Sequence, residues 1–562
     1  MDKSKRTNRK IVGTSRHVLQ CRALNVGLPL ALGIAVLPVS AQAFTYDFNN
    51  GVQVRFDNDI EYSLGIRTAP VSSQITSNIN GNDGDLNLAK GVVSNRIQDI
   101  TTLDLSDNGF GFDASTESFY DSVYETKTQN TSQATYNPIG PVSKYPNATG
   151  ALIGRNIELR NLFGYGTFSI FNIPVDFRIG RHTLIWGESV FFPDNGIAYG
   201  IAPLDGIEAT NEPNAEVKDL FLPVGMASIS AQLTDSLRLE SYYQFEWEKT
   251  IIPPVGSYYS PNDLFDGGGE RLILAQPQPP GFPGVYFFRG RDISGATTGQ
   301  FGIALHYDPD SSPYDFGIYA LQYNDREPQV YIYPGLGAGP TPNGISAGQY
   351  RLVYPNHIQL YGVSASTTVG AWNIAGEVSA RTNVPLVNDG VTVAPGEQAD
   401  NNNHVLYPTG DAAYAQISAI YLGPATRLWG ASNFVAELAG NQLLSVVKNG
   451  AEFVASNGGG PGHWNALGFH ALFTPTYYEI LPGVDLGVPL GLGYNFWGQS
   501  PTTHSFNGTD QSHGGVATMG LNLTYLQTWN AGLNYSQYFG PVAYGQLFAD
   551  RSIVTFNLQH TF

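Results

Sequence analysis

The sequence predicts an all-β protein, a closed transmembrane antiparallel β-barrel of about 18 strands, with 16 as the lower count, carrying an inserted segment in its lumen. Three observations carry that prediction. Apolar and polar side chains alternate with a period of two in runs of bilayer-crossing length. Short and long connections between those runs alternate strictly. The composition is poor in charge yet rich in glycine and aromatics.

Charged residues make up 14% of the 562, against 12% aromatic residues and 64 glycines. A disordered, collagen-like or coiled-coil chain does not have this balance. No stretch beyond residue 43 approaches the roughly 18 consecutive apolar residues of a membrane-spanning helix.

The first 43 residues read as a secretory signal peptide. Lys3, Lys5, Arg6, Arg9, Lys10, Arg16 and Arg22 form a basic start, Val26 to Val39 is apolar, and Ala41-Gln42-Ala43 offers small residues for cleavage. Cys21 lies too early to be a lipidation site. Of the chain's 29 basic and 47 acidic residues, cleavage would remove seven basic ones and Asp2, leaving 22 against 46 and no cysteine in a single barrel domain over 44–562. Such a chain is held by backbone pairing and burial without disulfides. Its acidity excludes nucleic acid, which demands clusters of Lys and Arg.

Alternation is plain in Leu237 to Trp247, where Leu237, Leu239, Tyr243, Phe245 and Trp247 face one way and Arg238, Glu240, Gln244 and Glu246 the other. The same pattern runs from Trp372 to Arg381, Val484 to Phe496, Met519 to Tyr525 and Trp529 to Tyr535, and is weak over 97–124. Aromatics gather at the ends of runs, where membrane–water girdles sit. Turns are expected near Asn172–Pro174, Thr234–Ser236, Asp308–Pro313, Thr368–Gly370, Gly423–Arg427, Pro475–Gly483 and Leu526–Thr528. Long polar or Gly/Pro-rich stretches fall at 68–96, 125–156, 187–224, 248–298, 325–356, 382–410, 442–463 and 498–515. A membrane barrel has tight turns at one end and long loops at the other.

The chain ends in an alternating run, Ile553 to Phe562, with Val554, Phe556, Leu558, His560 and Phe562 on one face. Phe556, Leu558 and Phe562 resemble the assembly signal read by the outer-membrane barrel assembly machinery, His560 being its one departure. Outer-membrane lipids and lipopolysaccharide are the expected surroundings.

Strict alternation directs Glu61, Arg67, Asp176, Arg178, His182, Arg238, Glu240, Glu246, Glu377, Arg381 and Glu437 into the lumen. Arg181 falls on the opposite face, so either a bulge resets the register near Gly180 or Arg181 already lies at the membrane edge. The 187–224 stretch mixes Glu188, Asp205 and Glu216 with Phe191, Phe192, Tyr199 and Phe221, too apolar for a loop in water. It is expected to fold into the lumen as a plug or constriction, with a short helix over Ala215–Leu220. The 248–298 stretch, with Gln276-Pro277-Gln278-Pro279-Pro280, reads as a long extracellular loop of partly polyproline character.

Asn78 to Asn87 is rich in hard oxygens, the ligand type Ca²⁺ takes, but its spacing is not that of an EF-hand. A polar turn cluster is the reading, with Asp83 and Asp85 the minor Ca²⁺ alternative. No H-E-x-x-H or P-loop occurs beyond residue 43, and no catalytic residues, metal or cofactor are expected, so the protein is read as not an enzyme.

Several strings are similar to a Gram-negative outer-membrane family, domain-of-unknown-function family 1302. They include Asp83-Gly84-Asp85-Leu86-Asn87, Lys90 to Arg96, Phe119 to Tyr124, Arg178 to Ser189, Ile197 to Asp205 and Glu216 to Gly225. The resemblance implies transport of lipid or hydrophobic molecules across the outer membrane alongside an RND-type inner-membrane permease and a periplasmic lipid carrier. Passive passage through a constricted barrel is therefore expected. A general porin for small polar solutes and a surface-binding or structural barrel remain the alternatives.

Overall fold

The computed structural model describes residues 44–48, 51–278, 280–309, 312–453, 464–508, 512–542 and 546–562. The export segment read over 1–43 and part of the 442–463 connection lie outside them.

Eighteen antiparallel strands close on themselves. In chain order they are β1 (Gln53–Arg67), β2 (Gly91–Asp107), β3 (Phe110–Asp121), β4 (Arg155–Ile170), β5 (Ile173–His182) and β6 (Val224–Thr234). There follow β7 (Leu237–Gln244), β8 (Gln300–Tyr307), β9 (Tyr314–Tyr323), β10 (Ile358–Val369), β11 (Trp372–Pro385) and β12 (Thr409–Gly423). The last are β13 (Ala431–Lys448), β14 (Asn465–Leu481), β15 (Val484–Gly487 continued by Leu490–Gln499), β16 (Gly515–Tyr525), β17 (Trp529–Phe539) and β18 (Ile553–Thr561).

Closure pairs β1 with β18 in register from Asp59–Thr561 to Arg67–Ile553. The seam is finished by Asn58 and Phe562, whose backbones exchange hydrogen bonds of 2.8 and 2.9 Å. Among the described residues the barrel sheet has no open edge, the condition for a sheet in lipid. The short strand Phe44–Asp47 pairs with the start of β1.

At one end the strands are joined by tight turns, several made of two residues with positive φ: Asn108 and Gly109, Phe171 and Asn172, Leu526 and Gln527. Turns of this mirror-image type match the twist of the strands they join. The other end carries all the long connections. Two expectations are corrected here. β14 continues through Pro475 to Leu481, so the turn is only 482–483. The 248–298 and 325–356 stretches are not simple loops, because Arg271–Ala275, Val285–Arg289, Gln329–Thr341, Gly344–Val353 and Val391–Thr392 build a separate five-stranded sheet.

The outer surface is apolar. Ile157 (77% exposed), Ile179, Ile318, Val363, Val378, Ile417, Leu438 and Met519 all face outward from the wall. At the short-turn end the outward row turns aromatic, with Phe110, Phe168 and Phe177 in one cluster, Trp372 on Tyr421 at 4.5 Å, and Trp529 stacked on His560 at 4.2 Å. A band of aliphatic residues rimmed by aromatics is a bilayer-facing surface.

Candidate functional site

Directly paired residues of neighbouring strands share a face, so one strand's inward row fixes the rest. On β1, Glu61, Ser63 and Arg67 are buried while Ile60 and Ile66 are exposed. Register carries that inward row through Glu61–Gln98, Asp104–Asp113, Tyr165–Arg178, Ser230–Glu240, Ser364–Glu377 and Ser418–Glu437 to His470. In the half nearest the short turns the inward residues are polar. β1 to β3 supply Arg55, Asp57, Asp59, Asp104 and Asp113, and β16 to β18 supply Asn522, Thr524, Asn530, Asn534 and Asn557.

In the other half the interior is crossed by the segment 183–223, which leaves β5 and returns to β6. Its apolar residues Trp186, Ile197, Tyr199, Ile201, Leu204 and Phe221 pack with inward residues of β9 to β12, including Leu321, Tyr323, Leu360 and Tyr414. Phe191 and Phe192 pack instead with Val435, Ala439 and Phe506, and Phe191 stacks on His470 at 4.4 Å.

Two inward carboxylates hold the segment by its backbone. One oxygen of Glu437 accepts from the amides of Val190 (3.0 Å), Phe191 and Phe192 (3.2 Å). Glu377 accepts from the amides of Glu188 (2.5 Å) and Ile197 (2.8 Å) and from Gln416 Nε2 (2.6 Å). Arg381 donates to the Gly196 carbonyl at 2.9 Å with its guanidinium between the rings of Tyr199 and Tyr414. Asn195 donates to Gln416 at 2.6 Å, and Trp186 Nε1 to Glu240 at 2.8 Å.

The segment then swings to the opposite wall. Asp205 caps the helix Gly206–Asn211 and meets Arg160 of β4 at 3.5 Å. Tyr538 of β17 donates to the Thr210 carbonyl, and Asn214 donates to Thr518 of β16 at 2.7 Å. The short helix expected over Ala215–Leu220 is a single turn, Val217–Leu220, beginning after Glu216, which pairs with Lys218. The 206–211 helix is the element the sequence reading missed; its signal was Asp205 as an N-cap ahead of Ile207.

The remaining named residues fall into three settings. Asp176, which accepts from Thr167, and Arg178, beside the Phe163 ring, sit on the polar inward wall. His182 meets Ser228 at 2.9 Å, and Arg238 pairs with Glu240 at 3.1 Å. Arg67 lies buried at the long-loop end, in a network with Asp85 (3.0 Å), Asp550 (3.1 Å) and Arg551.

Glu246 departs from the inward row. Phe245 and Glu246 both donate to the Gly225 carbonyl, a bulge beyond the end of β7, and Glu246 turns to meet Arg181 at 2.9 Å. The register of β5 is unbroken at Gly180, so Arg181 keeps its outward parity and lies at the rim. Phe556 and Leu558 face outward on β18, each about a third exposed.

Asp85 is committed to Arg67 and Arg551, and Asp83 accepts from the Asn137 amide at 3.0 Å. Asp85 therefore belongs to an ion-pair network and Asp83 to a set of amide donors. Burial, with Asp263 beside it, pushes the Asp83 carboxyl well above the usual range. Among the described residues no group of acidic or histidine side chains is arranged to hold a metal ion.

No curated protein matches the sequence. Among solved structures, OccAB4 of Acinetobacter baumannii is 10% identical, with 91% of this chain and 98% of that chain covered and a TM-score of 0.41. A BenF-like porin from Pseudomonas fluorescens Pf-5 gives 10%, 91%, 98% and 0.41. The outer membrane channel DcaP of Acinetobacter baumannii gives 8%, 92%, 99% and 0.38. The family model described as "Protein of unknown function (DUF1302)" matches residues 25–562, nearly the entire sequence, and the chain belongs to that family.

Proposed function

We propose that the protein is an outer-membrane channel for polar solutes, with no chemical step of its own, in which 183–223 narrows the passage. One observation carries this reading: the segment crosses a polar-walled barrel and is bonded to inward side chains of β4, β7, β11 to β13, β16 and β17. An unfilled barrel of this strand number holds an aqueous pore, so the inserted segment sets the aperture. The purified protein should form small, stable channels in planar bilayers and let small sugars, but not large ones, into liposomes. A correctly folded barrel with no conductance and no solute entry would overturn the reading.

The conduit reading keeps one specific support. A cavity of about 600 Å³ opens on the outward side of β1 and β2, lined by Tyr62, Leu64, Leu88, Val92, Val123 and Tyr145. Asn87, Asn95, Ser122, Thr126, Lys127 and Gln129 make up the other half of its lining, which suits an amphipathic, lipid-like molecule of the kind the family resemblance couples to a periplasmic carrier and an RND-type permease. Lipid profiles of membranes and medium from cells with and without the protein test it. Identical profiles would remove this second reading and leave the channel.

A further inference from the structure

The loop that follows β3 leans over the outside of the barrel wall. Gln129 donates its backbone amide to the Asn87 carbonyl at 3.0 Å and its side-chain amide to the Lys90 carbonyl at 2.7 Å. Asn95 of β2 donates to Ser122 Oγ at 2.5 Å, and Thr126 Oγ1 donates to the Val123 carbonyl at 2.9 Å. These bonds pin the loop at the long-loop ends of β1 and β2, and the cavity of about 600 Å³ is the niche left between loop and wall.

The floor of the niche belongs to the bilayer-facing surface. Tyr62, Leu64 and Val92 stand on the outward row, continuous with Ile66 at 39% and Ile97 at 41% exposed. The lip is polar, made by Thr126, Lys127 and Gln129. Long loops mark the cell-surface end of such a barrel, so the niche opens on the outer leaflet. Its volume falls within the roughly 300–1,000 Å³ of ligand sites.

Charge at that lip runs against the rest of the chain. Beyond residue 43 acidic residues outnumber basic ones by 46 to 22, yet three of the six lysines there, Lys90, Lys127 and Lys144, fall in this one loop cluster. All three are exposed, and the lysines in ion pairs among the described residues are Lys218 and Lys249. Between Ser122 and Pro146 the sole acidic residue is Glu125, which pairs with Arg155 at 3.4 Å. Lys127 lines the niche, Lys144 precedes Tyr145 of its lining, and the Lys90 carbonyl anchors Gln129 of its lip. Three cations over an apolar floor match a head group of more than one negative charge carried on acyl chains.

We propose that this niche seats a phosphorylated lipid of the outer leaflet, its acyl chains against Tyr62, Leu64 and Val92 and its phosphates at Lys90, Lys127 and Lys144. The proposal deepens the conduit reading by naming the class of lipid the cavity takes, and it requires binding rather than passage. A free anion gains nothing from the apolar floor, and an uncharged lipid gains nothing from the lysines. Each cation beside an anionic lipid head group strengthens binding about fivefold, so the three together are worth about a hundredfold.

The test is the affinity of the folded barrel in detergent for diphosphorylated lipid A, read by native mass spectrometry beside the same lipid stripped of its phosphates. The wild-type protein should bind the phosphorylated form and hold the stripped form about a hundredfold more weakly. The Lys90→Gln/Lys127→Gln/Lys144→Gln triple variant should lose about the same factor, and Thr126→Trp, which fills the mouth of the niche, should lower occupancy as well. Lys448→Gln, at the end of the distant β13, should leave binding unchanged. The substituted side chains are exposed, and retained heat-modifiable migration in gels confirms that the barrel has formed. A triple variant or a Thr126→Trp variant that binds like the wild type, equal affinity for the stripped lipid, or displacement by inorganic phosphate would overturn the site while leaving the channel standing. Intact binding together with identical cellular lipid profiles would remove the conduit reading and leave the site.

Discussion

Replacing Glu437 by alanine is the sharpest perturbation of the inserted segment. One carboxylate oxygen receives the amides of Val190, Phe191 and Phe192, and both phenylalanines are buried against β13 and β14. Alanine leaves three amides without an acceptor in a place water reaches poorly. Each orphaned buried donor costs about 1–3 kcal/mol. Because three donors share one oxygen, the sum is taken as about 3–5 kcal/mol rather than three full penalties. At about 1.4 kcal/mol per factor of ten, the population with the segment released rises by roughly 10²- to 4 × 10³-fold. The ladder of β13 with β12 and β14 is backbone-made, so the barrel itself should persist. Single-channel recording should show frequent large-conductance openings absent from the wild type. Trypsin gives a second readout, since Lys218 is the only lysine or arginine between 183 and 223, and its cleavage should become faster. An intact barrel with unchanged conductance and unchanged cleavage would refute the assigned anchor.

Arg551→Ala should cost about 3–5 kcal/mol, because it strips a guanidinium from Asp85 at 2.8 Å in a fully buried network, and thermal melting should fall accordingly. Deleting Phe562 removes the backbone pair with Asn58 that finishes the β1–β18 seam, so less folded, heat-modifiable barrel should accumulate in membranes. Burial holds the Asp263 carboxyl up at about 7 from an ordinary 3.8, although it accepts from the amides of Asn82 and Asp83. The folded loop therefore keeps a proton that the unfolded chain has released. Its stability is greatest at low pH and declines as pH rises from about 4 to about 7. Hydrogen exchange of the 82–88 amides, corrected for intrinsic rates, should show protection falling over that range, and Asp263→Asn should flatten the trend.

The barrel was legible because lipid outside and water inside impose opposite demands on successive residues of every strand. Val484 to Phe496 displays this, yet its ladder breaks at Val488-Pro489, where proline supplies no donor. Pro475 suggested a turn for the same reason, but β14 carries it within the strand, paired with Ser432. The turn of the β2–β3 hairpin was not placed, although Asn108-Gly109 is a strong turn signal. The five-stranded sheet outside the barrel was invisible because Tyr331 and Tyr333 alternate with Val330 and Ile332, apolar on both faces. Within the site, alternation alone directed Glu377, Arg381 and Glu437 inward. What they bind there, the amides of Glu188 to Phe192 and the carbonyl of Gly196, depends on where a distant segment lies and leaves no local trace. Glu246 was misplaced because a bulge beyond the end of a strand changes parity without any glycine or proline to announce it.

The central claim, that 183–223 lies inside the barrel against the wall formed by β11 to β13, is most directly tested by cross-linking. With no cysteine beyond residue 21, Asn195→Cys and Gln416→Cys introduce a clean pair at positions whose native side chains meet at 2.6 Å. A short thiol-reactive linker applied to intact membranes should join them efficiently and hold conductance at its smallest level. Two free, separately labelled thiols in a folded barrel would place the segment elsewhere and contradict the account.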